Sequence, residues 1–225
     1  NHGACVIAKS YEMKAAGVPT GGAIWEAVPV CPDAVFVKRD FKWYETLSRQ
    51  MLGIGQEVSP RVEFYSIDEQ FFQAVQPHHQ FAERLQHDIL RRVGVPVSIG
   101  IAPTKTLAKL ISDSSKPFGC GVVSDDAERI ALLRDTPVAE VTGIARRRAQ
   151  HLADHGIHTC EAFARADRAF IRWLLPKSGR RISSLPVAVP SVGPVATHSG
   201  SEHSSYATSS GWSKHWPTTR WPASS

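Results

Sequence analysis

The 225 residues predict an α+β chain: a mostly antiparallel sheet with helices on one face, then a purely helical segment and a polar tail. Three observations carry that expectation. Val62, Phe64, Tyr65 and Ile67 on one side, and Phe71 and Phe72 on the other, are β-formers that bracket the acidic pair Asp68-Glu69 as a hairpin. A helix precedes this hairpin, and a helix and a buried strand follow it. From about Asp126 strand patterning stops, and after about Leu175 apolar periodicity stops as well.

In chain order, Ala4 to Ala8 reads as a short strand, and Ser10 as the N-cap of a helix that stops at Gly17. A second short helix spans about Ala23 to Val28 and ends before Pro29, and Ala34 to Val37 reads as a strand. Phe41, Tyr44, Leu47, Met51 and Ile54 recur at helical spacing behind Asp40, with Lys42, Glu45 and Arg49 on the outer face. After the hairpin come a helix over about Gln80 to Arg92 and a buried strand from Val95 to Ile101. Pro103-Thr104 opens a helix with Leu107, Leu110 and Ile111 on one side, and Gly121-Val122-Val123 suits a last strand. Gly143-Ile144 and Gly156-Ile157, separated by Arg146 to His155, read as a helix-hairpin-helix. Ser, Pro, Thr and Gly dominate residues 176–225, which are expected to be disordered. A reading frame that slips near Pro176 to Arg181 is one explanation for that change of character.

Charge and cysteine content narrow the class. The formal net charge is +5, but Lys177, Arg180, Arg181, Lys214 and Arg220 face only Glu202 beyond residue 175, which leaves +1 for the first 175 residues. Any nucleic-acid surface in the body must therefore come from local clustering. Cys5, Cys31, Cys120 and Cys160 lie far apart with no CxxC, which argues against a zinc site or disulfide framework and suits reduced thiols in a cytoplasmic protein. No apolar run approaches the ~20 residues of a membrane span.

Adjacent carboxylates in a regular strand point to opposite faces; only where a turn breaks the alternation can both lean toward one ligand. Two hard oxygen donors so placed suit Mg²⁺, which takes one or two carboxylates plus substrate phosphates. A solvated acidic turn tip would use the same residues without any ligand. At Gly143-Ile144, backbone N–H groups at a helix start can hold a phosphate, with Arg146, Arg147 and Arg148 adding charge. Such turns also simply cap helices.

Ser66-Ile67-Asp68-Glu69 with the aromatics after it, the run Ser98-Ile99-Gly100-Ile101-Ala102-Pro103-Thr104-Lys105-Thr106-Leu107-Ala108-Lys109-Leu110, and Cys5 to Val18 form a collinear set. With Val141-Thr142-Gly143-Ile144 and Gly156-Ile157-His158-Thr159, this set resembles the Y-family (translesion, UmuC/DinB-like) DNA polymerases over about residues 1–175. The resemblance implies a fingers remnant over 1–40, a palm over 41–125 and a helix-hairpin-helix thumb over 126–175. The activity it implies is template-directed DNA synthesis past damaged bases, with primer-template DNA and dNTP as substrates and a sliding clamp as a further partner. The chemistry implied is two-metal phosphoryl transfer.

Residue by residue, the resemblance makes Asp68 the metal-bridging carboxylate and Glu69 the holder of the ion that activates the primer hydroxyl. Tyr11 and Lys14, three apart on one helix face, match the fingers residues that hold the triphosphate. Lys105 matches a palm lysine that reaches the phosphates, and Lys109 reads as its solvated neighbour. Tyr44 and Arg39 are further candidates for the pocket. Gly143, Ile144, Arg146, Arg147 and Gly156 match the DNA-backbone contacts of the thumb, although Ala145 stands where the family form has a second glycine. Upstream of the block that begins at Asn1, the resemblance implies a strand with another metal-binding Asp and an aromatic gate against ribonucleotides. Without them the 225 residues are expected to have little polymerase activity. The competing readings are a non-catalytic module that holds the DNA backbone, and a degraded frame that yields no stable protein.

Overall fold

The computed structural model describes residues 4–175 and the backbone of Tyr206–Gly211. Nine α-helices are found among the described residues: α1 Tyr11–Ala15, α2 Ile24–Val30, α3 Phe41–Val58, α4 His78–Val93, α5 Lys105–Ser114, α6 Asp126–Asp135, α7 Arg146–Ala153, α8 Cys160–Arg165 and α9 Arg168–Leu174. The strands are β1 Val62–Phe64, β2 Glu69–Gln73, β3 Val97–Ala102, β4 Cys120–Val122 and β5 Tyr206–Gly211. They form one sheet in the order β1-β2-β5-β3-β4, antiparallel throughout except for the parallel pair β3–β4.

Local chemistry accounts for the helix starts. Ser10, Asp40 and Thr104 sit in extended backbone, and their side chains accept from the amides of Met13 (3.3 Å), Trp43 (3.0 Å) and Leu107 (3.3 Å). Each thereby satisfies one of the donors that a helix N-terminus leaves open. Gly94 stops α4 with φ 78°, a left-handed conformation that a side chain would resist.

Two faces of the sheet are covered, which corrects the expectation of helices on one face. Val97, Ile99 and Ile101 point into a core with Leu47, Met51 and Ile54 of α3 and Phe81, Leu85 and Ile89 of α4. Phe72 and Gln70 face the same side: the Phe72 ring lies where a Cβ on Gly55 would fall, and Gln70 Nε2 donates to the Ser48 carbonyl at 3.1 Å. The intervening residues face α5 instead. A Cβ on Gly100 would strike the Ala108 carbonyl oxygen and come within 2.5 Å of the Ser112 nitrogen, so α5 lies directly on β3 backbone. Every residue of β3 is consequently buried.

α5 also anchors a second core, in which Leu107, Ala108, Leu110 and Ile111 join Leu133, Val138, Ile144, Leu152, Phe163 and Ile171 of the helical segment. A small third cluster, Val6, Val18 and Ala27, holds the first thirty residues together.

Four further local expectations are corrected. Ala4 to Ala8 is not a strand of the sheet; it makes one bridge, Cys5 with Ala23, supported by Val6 and Gly22 at 2.8 Å. α2 runs through Pro29 to Val30, since proline's fixed φ suits a helix and so short a helix loses a single bond to it. Ala34 to Val37 forms no strand; Val35 and Val37 are 85% and 82% exposed, and β-formers without a neighbouring strand cannot pair. Finally, part of the tail expected to be disordered forms β5; residues 176–205 and 212–225 lie outside the described residues.

Candidate functional site

Residues 65–68 link β1 to β2. The amides of Tyr65 and Ser66 both donate to the Glu69 carbonyl, at 3.1 and 2.9 Å, and close the turn. Asp68 lies in that turn, where Ser66 Oγ donates to its Oδ1 at 2.8 Å. Glu69 opens β2 on the face that looks toward α5, as does Phe71 two residues on, consistent with the two-residue period of a strand. The acidic pair therefore straddles the turn–strand junction.

α5 brings two lysines to this hairpin. Lys109 Nζ pairs with Glu69 Oε1, and lies 3.6 Å from Asp113 Oδ2 one turn along its own helix. Both members of the Glu69–Lys109 pair are largely buried, at 17% and 18% side-chain exposure. The expectation of Lys109 as a solvated neighbour is thus corrected. Burial alone would lower its pKa, but hydrogen bonding to Glu69 and the charges of Asp113 and Glu69 outweigh it and hold the ammonium above the ordinary lysine value. Lys105, one turn earlier, pairs with Glu63 of β1 and lies 5.5 Å from the Phe71 ring centroid.

Asp113 extends the charge chain, since it also binds Lys116 at 2.6 Å. Glu69, Lys109, Asp113 and Lys116 thus alternate in sign from β2 across α5 to the turn that follows it. The Lys109–Asp113–Lys116 spacing of four and three residues was a helical-face signal that sequence reasoning passed over.

Tyr11 and Lys14 lie on α1, in the element set held by the Val6–Val18–Ala27 cluster. Arg39 stacks its guanidinium 4.8 Å from the Phe41 ring, and Tyr44 makes an edge contact with Trp43. The structure brings Lys109 to Glu69 and Lys105 to Glu63, and holds Tyr11 and Lys14 on a separate element.

In the helical segment, Gly143 has φ 92° and its carbonyl accepts from Arg148, which closes the turn in front of α7. Ile144 is buried in the core beside it, whereas Arg146 and Arg147 in the first turn of α7 are exposed. Gly156, φ 78°, ends the same helix, with the Ile157 amide reaching back to Leu152 at 3.0 Å.

Oxygen donors that could hold a divalent cation are the carboxylates of Asp68 and Glu69. No group of three or more His, Cys, Asp or Glu side chains converges among the described residues. Two carboxylates suit one Mg²⁺ completed by phosphate and water. Glu69 already pairs with a cation, the Lys109 ammonium, which a metal ion there would have to displace. No helix among the described residues is long and apolar enough to cross a membrane.

The impB/mucB/samB family model matches residues 1–113, which take in the hairpin and nearly all of α5. The chain belongs to this family. Among curated relatives it is 35% identical over 181 residues to DNA polymerase IV 1 of Halalkalibacterium halodurans, which covers 77% of this chain and 42% of that protein. It is 34% identical over 188 residues to DNA polymerase IV 1 of Bacillus subtilis, covering 80% and 44%. The chain thus spans less than half the length of these relatives. Among solved structures, the DinB crystal structure from Sulfolobus solfataricus matches with TM-score 0.68 at 26% identity, covering 76% of this chain and 52% of that one. An insertion ternary complex of Dbh DNA polymerase matches with the same values.

Proposed function

We propose that this chain is the catalytic-core portion of a DNA polymerase that copies template past damaged bases, with primer-template DNA and dNTP as substrates. The observation that carries the reading is the Asp68-Glu69 hairpin facing the lysines of α5, in a chain of this family. The named relatives and the ternary-complex neighbours support it. In this reading residues 41–125 act as palm, 1–40 as fingers and 126–175 as thumb.

Asp68 and Glu69 would hold Mg²⁺, which when bound supplies charge neutralisation at the nucleotide phosphates. The chain's own residues do the rest. Ser66 orients the Asp68 carboxylate, and Lys109 occupies Glu69 until a metal takes its place. Lys105 and Lys109, together with Tyr11 and Lys14 on α1, supply cations and a hydroxyl for the triphosphate. Gly143, Ile144, Arg146, Arg147 and Gly156 shape a surface for the DNA backbone, where exposed arginines bind phosphate without reading bases. A sliding clamp as partner, and the cytoplasm as location, belong to the same reading.

The test is Mg²⁺-dependent binding of a fluorescent dNTP to the purified chain, followed by primer extension across a template lesion. Asp68→Ala is expected to abolish metal-dependent nucleotide binding while salt-sensitive DNA binding survives. Nucleotide binding that ignores both the metal and the substitution would leave a DNA-backbone-binding module as the better reading.

A further inference from the structure

We propose that His151 and His155 form a two-histidine site for a transition-metal dication of the Zn²⁺, Ni²⁺ or Cu²⁺ class, at the C-terminal end of α7. The inference does not rest on the polymerase reading, and the site uses no cysteine and none of the carboxylates described above. Two histidines four apart on a helix lie one above the other on the same face, the spacing by which helical zinc sites present paired imidazoles. α7 ends at Ala153, but Asp154 keeps right-handed helical backbone and the His155 amide donates to the Leu152 carbonyl at 3.0 Å. The face therefore continues as far as His155. Both histidines are exposed.

Ring spacing, tautomer and bracing all prepare the pair. The ring centroids are 5.3 Å apart, with planes inclined by 69°. Two imidazoles bound to one tetrahedral ion through nitrogens at about 2.0–2.1 Å have centroids about 5 Å apart, so the rings already stand at the spacing of a chelate. His155 Nδ1 lies 2.9 Å from the His151 carbonyl oxygen, an acceptor that requires this nitrogen to carry the proton. Nε2 then keeps its lone pair for a metal, and the bond behind it is the kind that fixes the tautomer of ligating histidines generally. From α9, Phe170 and Trp173 meet the His155 ring edge to face at 5.8 and 6.4 Å and hold its orientation. The C-terminal end of a helix also favours a cation. Imidazole nitrogen suits Zn²⁺, Ni²⁺ and Cu²⁺, whereas Mg²⁺ and Ca²⁺ take oxygen. Asp154 lies between the two in sequence, but its Oδ1 accepts from Gln150 Nε2 at 2.9 Å. No third His, Cys, Asp or Glu joins the pair among the described residues, so water completes the coordination. The ion ties His155 to His151 across the last turn of α7 and so steadies the turn at Gly156.

The experiment titrates the full, metal-free chain with Zn²⁺ in the presence of excess Mg²⁺, which takes the oxygen sites, and follows the histidine ring nitrogens by NMR. Before any Zn²⁺, His155 should carry its proton on Nδ1. On addition, the Nε2 signals of His151 and His155 should shift together and saturate. His87 is the internal control: its Nδ1 makes the same kind of bond, to the Glu83 carbonyl at 2.8 Å, but it has no histidine four residues away, and its ring should not follow. The affinity read from the remaining ring should fall roughly tenfold or more in His151→Ala and in His155→Ala, because the second imidazole of a chelate binds intramolecularly. Rings that do not shift, or shift no more than His87, overturn the proposal; so does an affinity that survives either substitution, or a metal-free His155 with its proton on Nε2. The titration of the unsubstituted chain decides even if a variant fails to fold.

Discussion

Replacing Lys109 by methionine removes the ammonium from Glu69 and Asp113 while keeping most of the aliphatic stem. The Glu69 side chain, 17% exposed, then stays largely out of water without its cation. Removing one partner of a fully buried pair costs ~3–5 kcal/mol, whereas exposed pairs contribute ~0–1 kcal/mol. At this exposure the loss should be about 2–3 kcal/mol, measured as a lower midpoint in urea at unchanged slope. Glu69→Gln in the Lys109→Met background should recover part of the loss, with a coupling of at least ~1 kcal/mol between the positions. The same pair sets a pH window. Its folded lysine pKa is raised, so its stabilisation is complete below the ordinary lysine value and fades as pH climbs through the higher folded one. The unsubstituted chain should therefore lose stability more steeply than Lys109→Met on the alkaline side. Arg92→Met is the control: its pair with Glu57 is 40% and 54% exposed and should leave the midpoint unmoved. A Lys109→Met midpoint equal to that of Arg92→Met, or zero coupling with Glu69, would refute the reasoning.

Other outcomes follow from packing, burial and charge. Gly100→Ala should destabilise by ~1–3 kcal/mol, because the new methyl meets α5 backbone that cannot swing aside, and calorimetry reads the shift. Cys120 and Cys160, whose thiol pKa values burial pushes up to about 11 with help from Glu83 and Glu140, should resist iodoacetamide at pH 8 while exposed Cys5 is alkylated, as peptide mass mapping reveals. Arg147→Ala should weaken DNA binding equally for unrelated sequences and reduce the slope of log affinity against log salt by about 1; a sequence-dependent loss would contradict a phosphate contact.

Much of this architecture was legible in the residues because its signals are local. Asp40 with the Phe41–Tyr44–Leu47–Met51 spacing, and Thr104 with Leu107–Leu110–Ile111, declare a cap and a face within one helix. The hairpin was legible for the same reason, as turn and strands are adjacent. What was missed depends on partners distant in sequence. Lys109 carries no mark of Glu69, forty residues earlier. Val35 and Val37 are good β-formers left without a neighbour. The second covered face had one clue, the Ser98 and Gly100 positions alternating with Ile99 and Ile101, which suits a strand approached closely by a helix. For β5 there was little: only Tyr206 and Thr208 of its six residues are good β-formers, and its pairing with β2 and β3 lies far away in sequence.

That arrangement constrains the order of assembly during synthesis. At ~5–20 residues per second, α3, α4 and α5 can gather while the ribosome is still making the helical segment, but β5 can join β2 and β3 only once residue 211 has been made. Until then the edges of β2 and β3 that pair with β5 lack it, and unpaired strand edges invite edge-to-edge association. Yield at low temperature, or with added chaperone, should thus depend on the codons for residues 206–211 as well as on those for the hairpin.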